Sequence, residues 1–333
     1  LKKKLFKILK TFLPLALGVF FIFYSYFRFS KEQREELLGN ISQIPFEWVV
    51  LMLAGGLLSH LSRAYRWKML IQPLGYNLRF STAFMAVMAG YLVNLGIPRS
   101  GEVLRGATAA SYDNIPFEKA FGTIIAERAI DVLIVLIIVS LAILLHTQEL
   151  YLFFDQYHIN PWFSLLGMIF LVFLAIGFLI FIKRSKLPIF VRIKKFASGT
   201  LQGIKSILHL KKPGLFILHT FFIWGMYILM FYLLKFAFPE MQNLGFSTML
   251  AAFVVGSFSV SITNGGIGIY PIAVGATLAL FGISKETGEA FGWVDWGLQT
   301  FLSVLLGGLS LLLLPILNRK QKKTISKQTD LKS

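Results

Sequence analysis

Cysteine is absent from all 333 residues. That excludes disulfides, Cys-based zinc sites, iron–sulfur clusters and thiol nucleophiles, and it leaves the redox compartment unreadable. Charge is scarce as well. Asp, Glu, Lys and Arg make up 15% of the chain, whereas globular domains average nearer a quarter. Acids are the scarcest, 16 against 33 Lys and Arg, for a formal net charge of +17. Apolar residues take the vacated positions: they reach 56%, with Phe alone occurring 33 times. Apolar stretches of about twenty residues recur from end to end, the length a membrane-crossing helix needs. Collagen-like, disordered and disulfide-scaffold chains are excluded. The composition predicts an all-α, polytopic integral membrane helical bundle.

A charge of +17 suggests nucleic acid until the cations are located. They fall in four blocks. Lys2, Lys3, Lys4, Lys7 and Lys10 precede the first apolar run, and Arg63, Arg66, Lys68 and Arg79 surround a polar break. Nine more, from Lys183 to Lys212, fill one long connection, and six from Arg319 to Lys332 make a basic tail over residues 318–333. Basic clusters beside apolar runs mark cytoplasmic loops and touch anionic lipid. The expected partners are therefore anionic membrane lipids, not nucleic acid.

The apolar runs lie at about 11–29, 46–62, 80–97, 120–146, 161–182, 215–238, 248–262, 267–282 and 290–317. The first resembles a signal peptide in its basic flank, but its length and the lack of an A-x-A site predict an uncleaved anchor. Residues 30–44, with Glu32, Glu35 and Glu36, predict a short interfacial helix. With the N-terminus inside, the loop from Arg63 to Arg79 is inside too. Were 80–97 one full crossing, the nine-cation connection would fall outside, against the positive-inside rule. Parity is restored if the chain enters near Phe80, breaks around Asn94, Gly96 and Pro98, and returns by Lys119. The returning arm carries Arg99, Glu102, Arg105 and Asp113, too polar for lipid, so a re-entrant half-helix buried in protein is expected. A second break, at Asn264, Gly265, Gly266 and Gly268, is entered from outside. The expectation is about six full spans and two broken or re-entrant hairpins over residues 1–317, in the plasma membrane, with both termini cytoplasmic. Asn94-Leu95-Gly96-Ile97-Pro98 leads to Gly106-Ala107-Thr108, as Asn264-Gly265-Gly266-Ile267-Gly268 leads to Gly275-Ala276-Thr277. Chance similarity and a repeat pair inserted from opposite faces both fit.

The strongest chemical signal lies in the first hairpin and the helix after it. Arg99, Glu102 and Arg105 follow at i,i+3 spacings, which predicts one helical face. Glu127 and Asp131 stand i,i+4 on the next helix, with Arg128 beside them. Asp131 is twelve positions past Lys119, about 18 Å along a helix, against a half-thickness of about 15 Å. A carboxylate near the midplane is expensive and needs a reason. Two reasons are available. One is a salt-bridge network bracing the hairpin. The other is a headgroup site, in which guanidinium forks grip phosphate and Asn94 and the half-helix ends add donors. Gly265-Gly266-Ile267-Gly268 lacks the P-loop Lys and is read as a helix break. Asp295, between Trp293 and Trp296, fits either a mid-membrane or an interfacial position, and Lys235 is expected to snorkel outward. The five histidines are scattered without metal spacing. No catalytic set, metal or cofactor is called for.

The run Asn94-Leu95-Gly96-Ile97-Pro98-Arg99-Ser100-Gly101-Glu102-Val103-Leu104-Arg105, followed by Ala126-Glu127-Arg128-Ala129-Ile130-Asp131, resembles the lysylphosphatidylglycerol synthase transmembrane-region family, also called flippase-like or UPF0104. The similarity runs over most of residues 10–317. It implies a helical lipid-translocation fold, and hence a transporter of an anionic lipid or lipid-linked headgroup rather than an enzyme. Some relatives add a soluble aminoacyl transferase domain; this chain ends shortly after its last apolar run, so the synthase activity is not expected of it. Relatives tend to show G-G-x-G-x-x-E and a later Arg in the second half. Here Tyr270 or Pro271 stands at the acid and Trp296 near the Arg. Two other readings stay open: a membrane-embedded, polyprenyl-linked glycosyltransferase type, with acids in the first external loop, and a non-transporting envelope partner.

Overall fold

The computed structural model describes residues 27, 30–145, 202, 205–260 and 263–330. Among them nine α-helices form and no strand: α1 Lys31–Ser42, α2 Phe46–Ile71, α3 Phe80–Gly96, α4 Ser100–Asp113, α5 Phe117–Leu145, α6 Pro213–Leu234, α7 Phe246–Ser259, α8 Ile269–Ala279 and α9 Lys285–Asp330. The expected spans at 11–29 and 161–182 lie outside the described residues. Three helices are long and apolar enough to cross a membrane: α5, α6 continued to Ala237, and α9 up to Leu317. The α1–α2 pair, bent by 70°, makes a fourth if counted as one broken span. Lipid would surround these helices, and their outward faces are lined with exposed Leu, Ile, Val and Phe.

Local chemistry explains the boundaries. Ser30 starts α1 as one half of a capping box, its hydroxyl accepting from the Gln33 N–H at 3.3 Å while the Gln33 side chain accepts from the Ser30 N–H at 3.0 Å. Pro45 opens α2, where a missing N–H costs nothing. Gly75, at φ 81°, ends the turn that follows. The polar α1 is not a free surface helix: Gln33 donates to Glu286 and Asn40 to Thr287, which docks it on the start of α9.

Helices α2 and α6 form an antiparallel frame. Trp48 stacks near Phe236 at one end, and Ser62 meets His219 at 2.8 Å toward the other. Each hairpin is anchored at one end of that frame. The first, α3–α4, is closed at its base by Arg79 against Asp113 at 2.5 Å. That base packs through Leu78 and Ile115 on Trp67 and Ile71, at the end of α2. The second, α7–α8, has its base against the opposite end, where Leu278 and Ile283 join Phe238 and Met241. The hairpins thus enter the bundle from opposite ends, and their tips meet. A Cβ on Gly265 would lie 2.8 Å from Leu95 Cδ2. At 14 and 11 residues, α7 and α8 span about 21 and 17 Å, short of a hydrocarbon core of about 30 Å. Helix α9 runs past both hairpins, touching Gly275 and Pro271 of α8 and later Met88 and Leu92 of α3.

Three sequence readings are corrected. The second apolar run does not stop at Ser62: α2 continues to Ile71, and Arg63 and Arg66 are buried in it rather than lying in a cytoplasmic loop. A helix tolerates those charges there because carboxylates wait on a neighbour. Arg99 does not share a helical face with Glu102 and Arg105. It precedes α4 as the N-cap, in the left-handed region at φ 60°. Lys235 does not snorkel. It is buried, donates to the Leu244 carbonyl, and lies 4.5 and 4.7 Å from the Tyr232 and Phe236 ring centroids.

Two glycines near the tip of the first hairpin sit in opposite surroundings. A Cβ on Gly101 would strike the Gly90 carbonyl, whereas one on Gly96 would meet nothing within 4 Å. Gly101→Ala is expected to destabilise the protein by about 1–3 kcal/mol, read as a lowered melting temperature of the purified protein. Gly96→Ala should leave that temperature nearly unchanged.

Candidate functional site

The site is built on Glu127 and Asp131, one turn apart on α5 and both buried. Three buried guanidinium groups converge on them from two other helices. Arg63 of α2 reaches Glu127 Oε1 at 3.1 Å and Asp131 Oδ2 at 3.0 Å. Arg66, one turn later, reaches the same two acids at 3.2 and 2.8 Å. Arg105 of α4 takes the remaining Glu127 oxygen at 2.9 Å. Its guanidinium lies over the Trp67 ring, 4.5 Å from the centroid, and Trp67 is held by its own N–H to Thr123 at 3.0 Å. Helix α6 contributes Trp224, whose N–H donates to Asp131 at 3.3 Å, and Thr220, which accepts from Arg66 at 3.2 Å. Both carboxylates are satisfied on both oxygens, as burial requires.

The network opens outward through Arg128. This side chain is 39% exposed and bridges Asp131 at 3.4 Å and Glu102 at 3.5 Å. Beyond it lies a half-open cavity of about 500 Å³ where the two hairpin tips meet. Arg99, Glu102 and Arg128 border it from the first half, and Gly265, Asp295 and Gln299 from the second. Arg99 is exposed and forms no ion pair among the described residues. Its left-handed backbone costs of order 1 kcal/mol for a non-glycine residue and sets the direction of its side chain at the tip. Asn94 also borders the cavity, but its side-chain oxygen is already used: it accepts from the Gly101 N–H at 2.7 Å and so holds the turn.

The opposite wall is built differently. Asp295 is fully buried, accepts from the Tyr270 hydroxyl at 2.5 Å and from the Gln299 amide at 3.0 and 3.1 Å, and forms no ion pair among the described residues. Trp296 donates to the Gly265 carbonyl at 2.7 Å and pins the second tip. Gly265, Gly266 and Gly268 all have positive φ, which explains glycine at each. Among the described residues no cluster of His, Asp or Glu is arranged to hold a metal. The acids near the first loop form a solvated helix face: Lys31 and Glu35 pair at 3.9 Å while 81% and 69% exposed.

The sequence-read residues therefore separate by environment. Arg105, Glu127 and Asp131 lie inside the network, whereas Asn94, Arg99, Glu102 and Arg128 border the cavity. Arg63 and Arg66 were not read as site residues. A signal for them existed: Gly55, Gly56, Ser59, Ser62, Arg63 and Arg66 follow helical spacing on a small and polar stripe, the pattern of a protein-facing surface in a membrane helix.

Paired hairpins that meet at a polar cavity inside an apolar helical frame define a polytopic membrane protein of the inverted-hairpin kind. The family model for the lysylphosphatidylglycerol synthase TM region matches residues 11–307, and the chain belongs to that family. A UPF0104 membrane protein of Methanocaldococcus jannaschii is 32% identical over 93 residues, which is 27% of this chain. The match spans 28% of that relative's length. No solved structure matches the chain.

The two environments respond differently to mutation. Arg63→Ala removes one of three guanidinium groups on each buried carboxylate and should cost about 1–3 kcal/mol in lost charged hydrogen bonds. Adding Asp131→Asn to it should lower stability further, because Asp131 still holds Arg66 and Arg128. Arg99→Ala should leave thermal stability unchanged. Differential scanning calorimetry of the four proteins in detergent checks all three expectations.

Proposed function

We propose that this protein binds the headgroup of an anionic lipid, or of a lipid-linked group, in the cavity between the hairpin tips and moves it across the bilayer. The observation that carries the reading is Arg99, an exposed guanidinium without an acidic partner among the described residues, held over the cavity by a strained backbone. A guanidinium fork matches two phosphate oxygens at once. The return helices α4 and α8 start at the tips, which favours an anion, but α3 and α7 end there, which opposes it. The helix dipoles offset each other and the side chains decide the sign. The Arg128–Glu102 pair can open to give a second cation when an anion enters. Because the hairpins come from opposite ends of the bundle, rocking one against the other would expose the cavity alternately to each side, the scheme of many transporters.

The decisive experiment uses purified protein in liposomes carrying fluorescent short-chain phosphatidylglycerol or phosphatidylcholine. Wild type should move the anionic probe faster. Arg99→Ala should cut that rate by about tenfold, the loss of one charge-assisted hydrogen bond, and Arg99→Lys should restore only part of it because the fork is missing. An Arg99→Ala protein that moves phosphatidylglycerol at the wild-type rate would end the proposal.

We further propose a plasma-membrane location with both termini cytoplasmic, supported by the basic blocks at 2–10, 183–212 and 319–332. The chain lacks cysteine, so single cysteines report cleanly. One at Lys195 should be shielded from an impermeant thiol reagent in intact cells, and one at His158 should be labelled. The reverse pattern overturns the orientation.

A further inference from the structure

Asp295 differs from every other buried acid of the site. Glu127 and Asp131 each meet at least two guanidinium groups, but Asp295 meets none among the described residues. Two opposed effects act on it. Three hydrogen bonds, one from Tyr270 and two from Gln299, occupy both its oxygens and favour the anion. Complete burial without a cation favours the neutral acid. A carboxyl group balanced in this way can change protonation state with a small change in its surroundings.

The surroundings include the cavity. The titratable and charged groups that border it with Asp295 are His60 from α2, Tyr91 from α3, Arg99 at the first tip and Glu102 from α4. Arg128 from α5, Tyr227 from α6 and Tyr270 from α8 complete the set. In the network four guanidinium groups meet three carboxylates, and Arg99 adds an exposed cation at the tip, so the first-half wall is positive. Asp295 is buried in the cavity wall, so an ion in the cavity acts on it partly through protein, where screening is weaker than in bulk water.

We infer that Asp295 is a proton-binding site whose occupancy is coupled to that of the cavity: an anion beside Arg99 draws a proton onto Asp295. The inference rests on the headgroup reading for its trigger. The anion cancels the positive field that stabilises ionised Asp295, and the carboxylate then takes up a proton. Tyr270 provides the route, because its hydroxyl donates to Asp295 Oδ2 and the residue borders the cavity. The phenol passes its proton to Oδ2 as its oxygen accepts one from cavity water, so one proton enters and Tyr270 ends as it began. By linkage the effect is reciprocal, and protons strengthen anion binding.

The test is isothermal titration calorimetry of the full chain in phosphatidylcholine nanodiscs, with dihexanoyl phosphatidylglycerol as probe. Repeating it in two buffers of different ionisation enthalpy counts the protons taken up with the anion. Wild type should show net uptake, at most one proton per probe bound, and Asp295→Asn should show none. Uptake that persists in Asp295→Asn overturns the assignment. Binding without uptake in wild type, from mildly acidic to mildly alkaline solution, overturns the coupling while leaving the headgroup reading intact. Failure of wild type to bind the probe overturns the headgroup reading, and the coupling with it. Should Asp295→Asn not fold, an infrared difference spectrum of wild type with and without probe decides: a protonated-carboxyl band must be gained on binding, and its absence overturns the inference.

Discussion

Two carboxylates one turn apart, Glu127 and Asp131, stand in a long apolar helix rich in Leu, Ile and Val, and burying them demands cations at hydrogen-bonding distance. That demand fixes the rotation of α2, which must turn Arg63 and Arg66 toward α5. It fixes the seating of the first hairpin, which must bring Arg105 within reach of Glu127. It also sets the approach of α6, through Trp224 and Thr220. Four helices are oriented by one cluster. Apolar packing in lipid cannot do this alone, because the tails around the bundle are as apolar as its side chains. The polar contacts choose one arrangement among the many that packing would allow.

Much of this was legible beforehand, for a physical reason. Helices in lipid must satisfy their own backbones, so apolar runs and charge blocks report architecture directly. The break at Asn94–Pro98 was legible because a full crossing there would have put nine cations on the wrong side. The companionship of Glu102, Arg105, Glu127, Arg128 and Asp131 was legible because acids deep in a membrane helix need partners. Arg63 and Arg66 were missed because they stand next to Lys68 and close to Arg79, and a basic cluster at the end of an apolar run reads as a loop. Whether an arginine ends a span or completes a distant ion network depends on another helix, which spacing along one helix cannot show. Lys235 failed for a related reason: its partner carbonyl is brought back to it by the fold of the following loop.

The two halves resemble each other in backbone and differ in how they are held. The first tip is secured by Asn94 and backed by a network of full charges. The second is secured by an indole N–H on a carbonyl and backed by a carboxyl with neutral donors. Tyr270 and Trp296 make these contacts without bringing a charge. The cavity between the tips is therefore electrically lopsided, with guanidinium groups on one wall and a carboxyl held by neutral donors on the other. A symmetric frame thus encloses an asymmetric chamber, whose two walls differ in chemistry rather than in topology.

Helix α9 meets both hairpins almost backbone to backbone. A Cβ on Gly288 would lie 2.9 Å from Gly275 Cα, one on Gly292 2.6 Å from Pro271 Cα, and one on Gly307 2.6 Å from Leu92 Cβ. Helices usually interlock by seating side-chain ridges in grooves, and sliding one along another then means lifting each ridge over the next. A seam of glycines has few ridges to lift. It holds its partners close through many short dispersion contacts, yet it presents a smooth track along the helix axis. Helix α9 is thereby suited to serve as a rail, along which either hairpin can shear by a small step without first coming apart from the bundle.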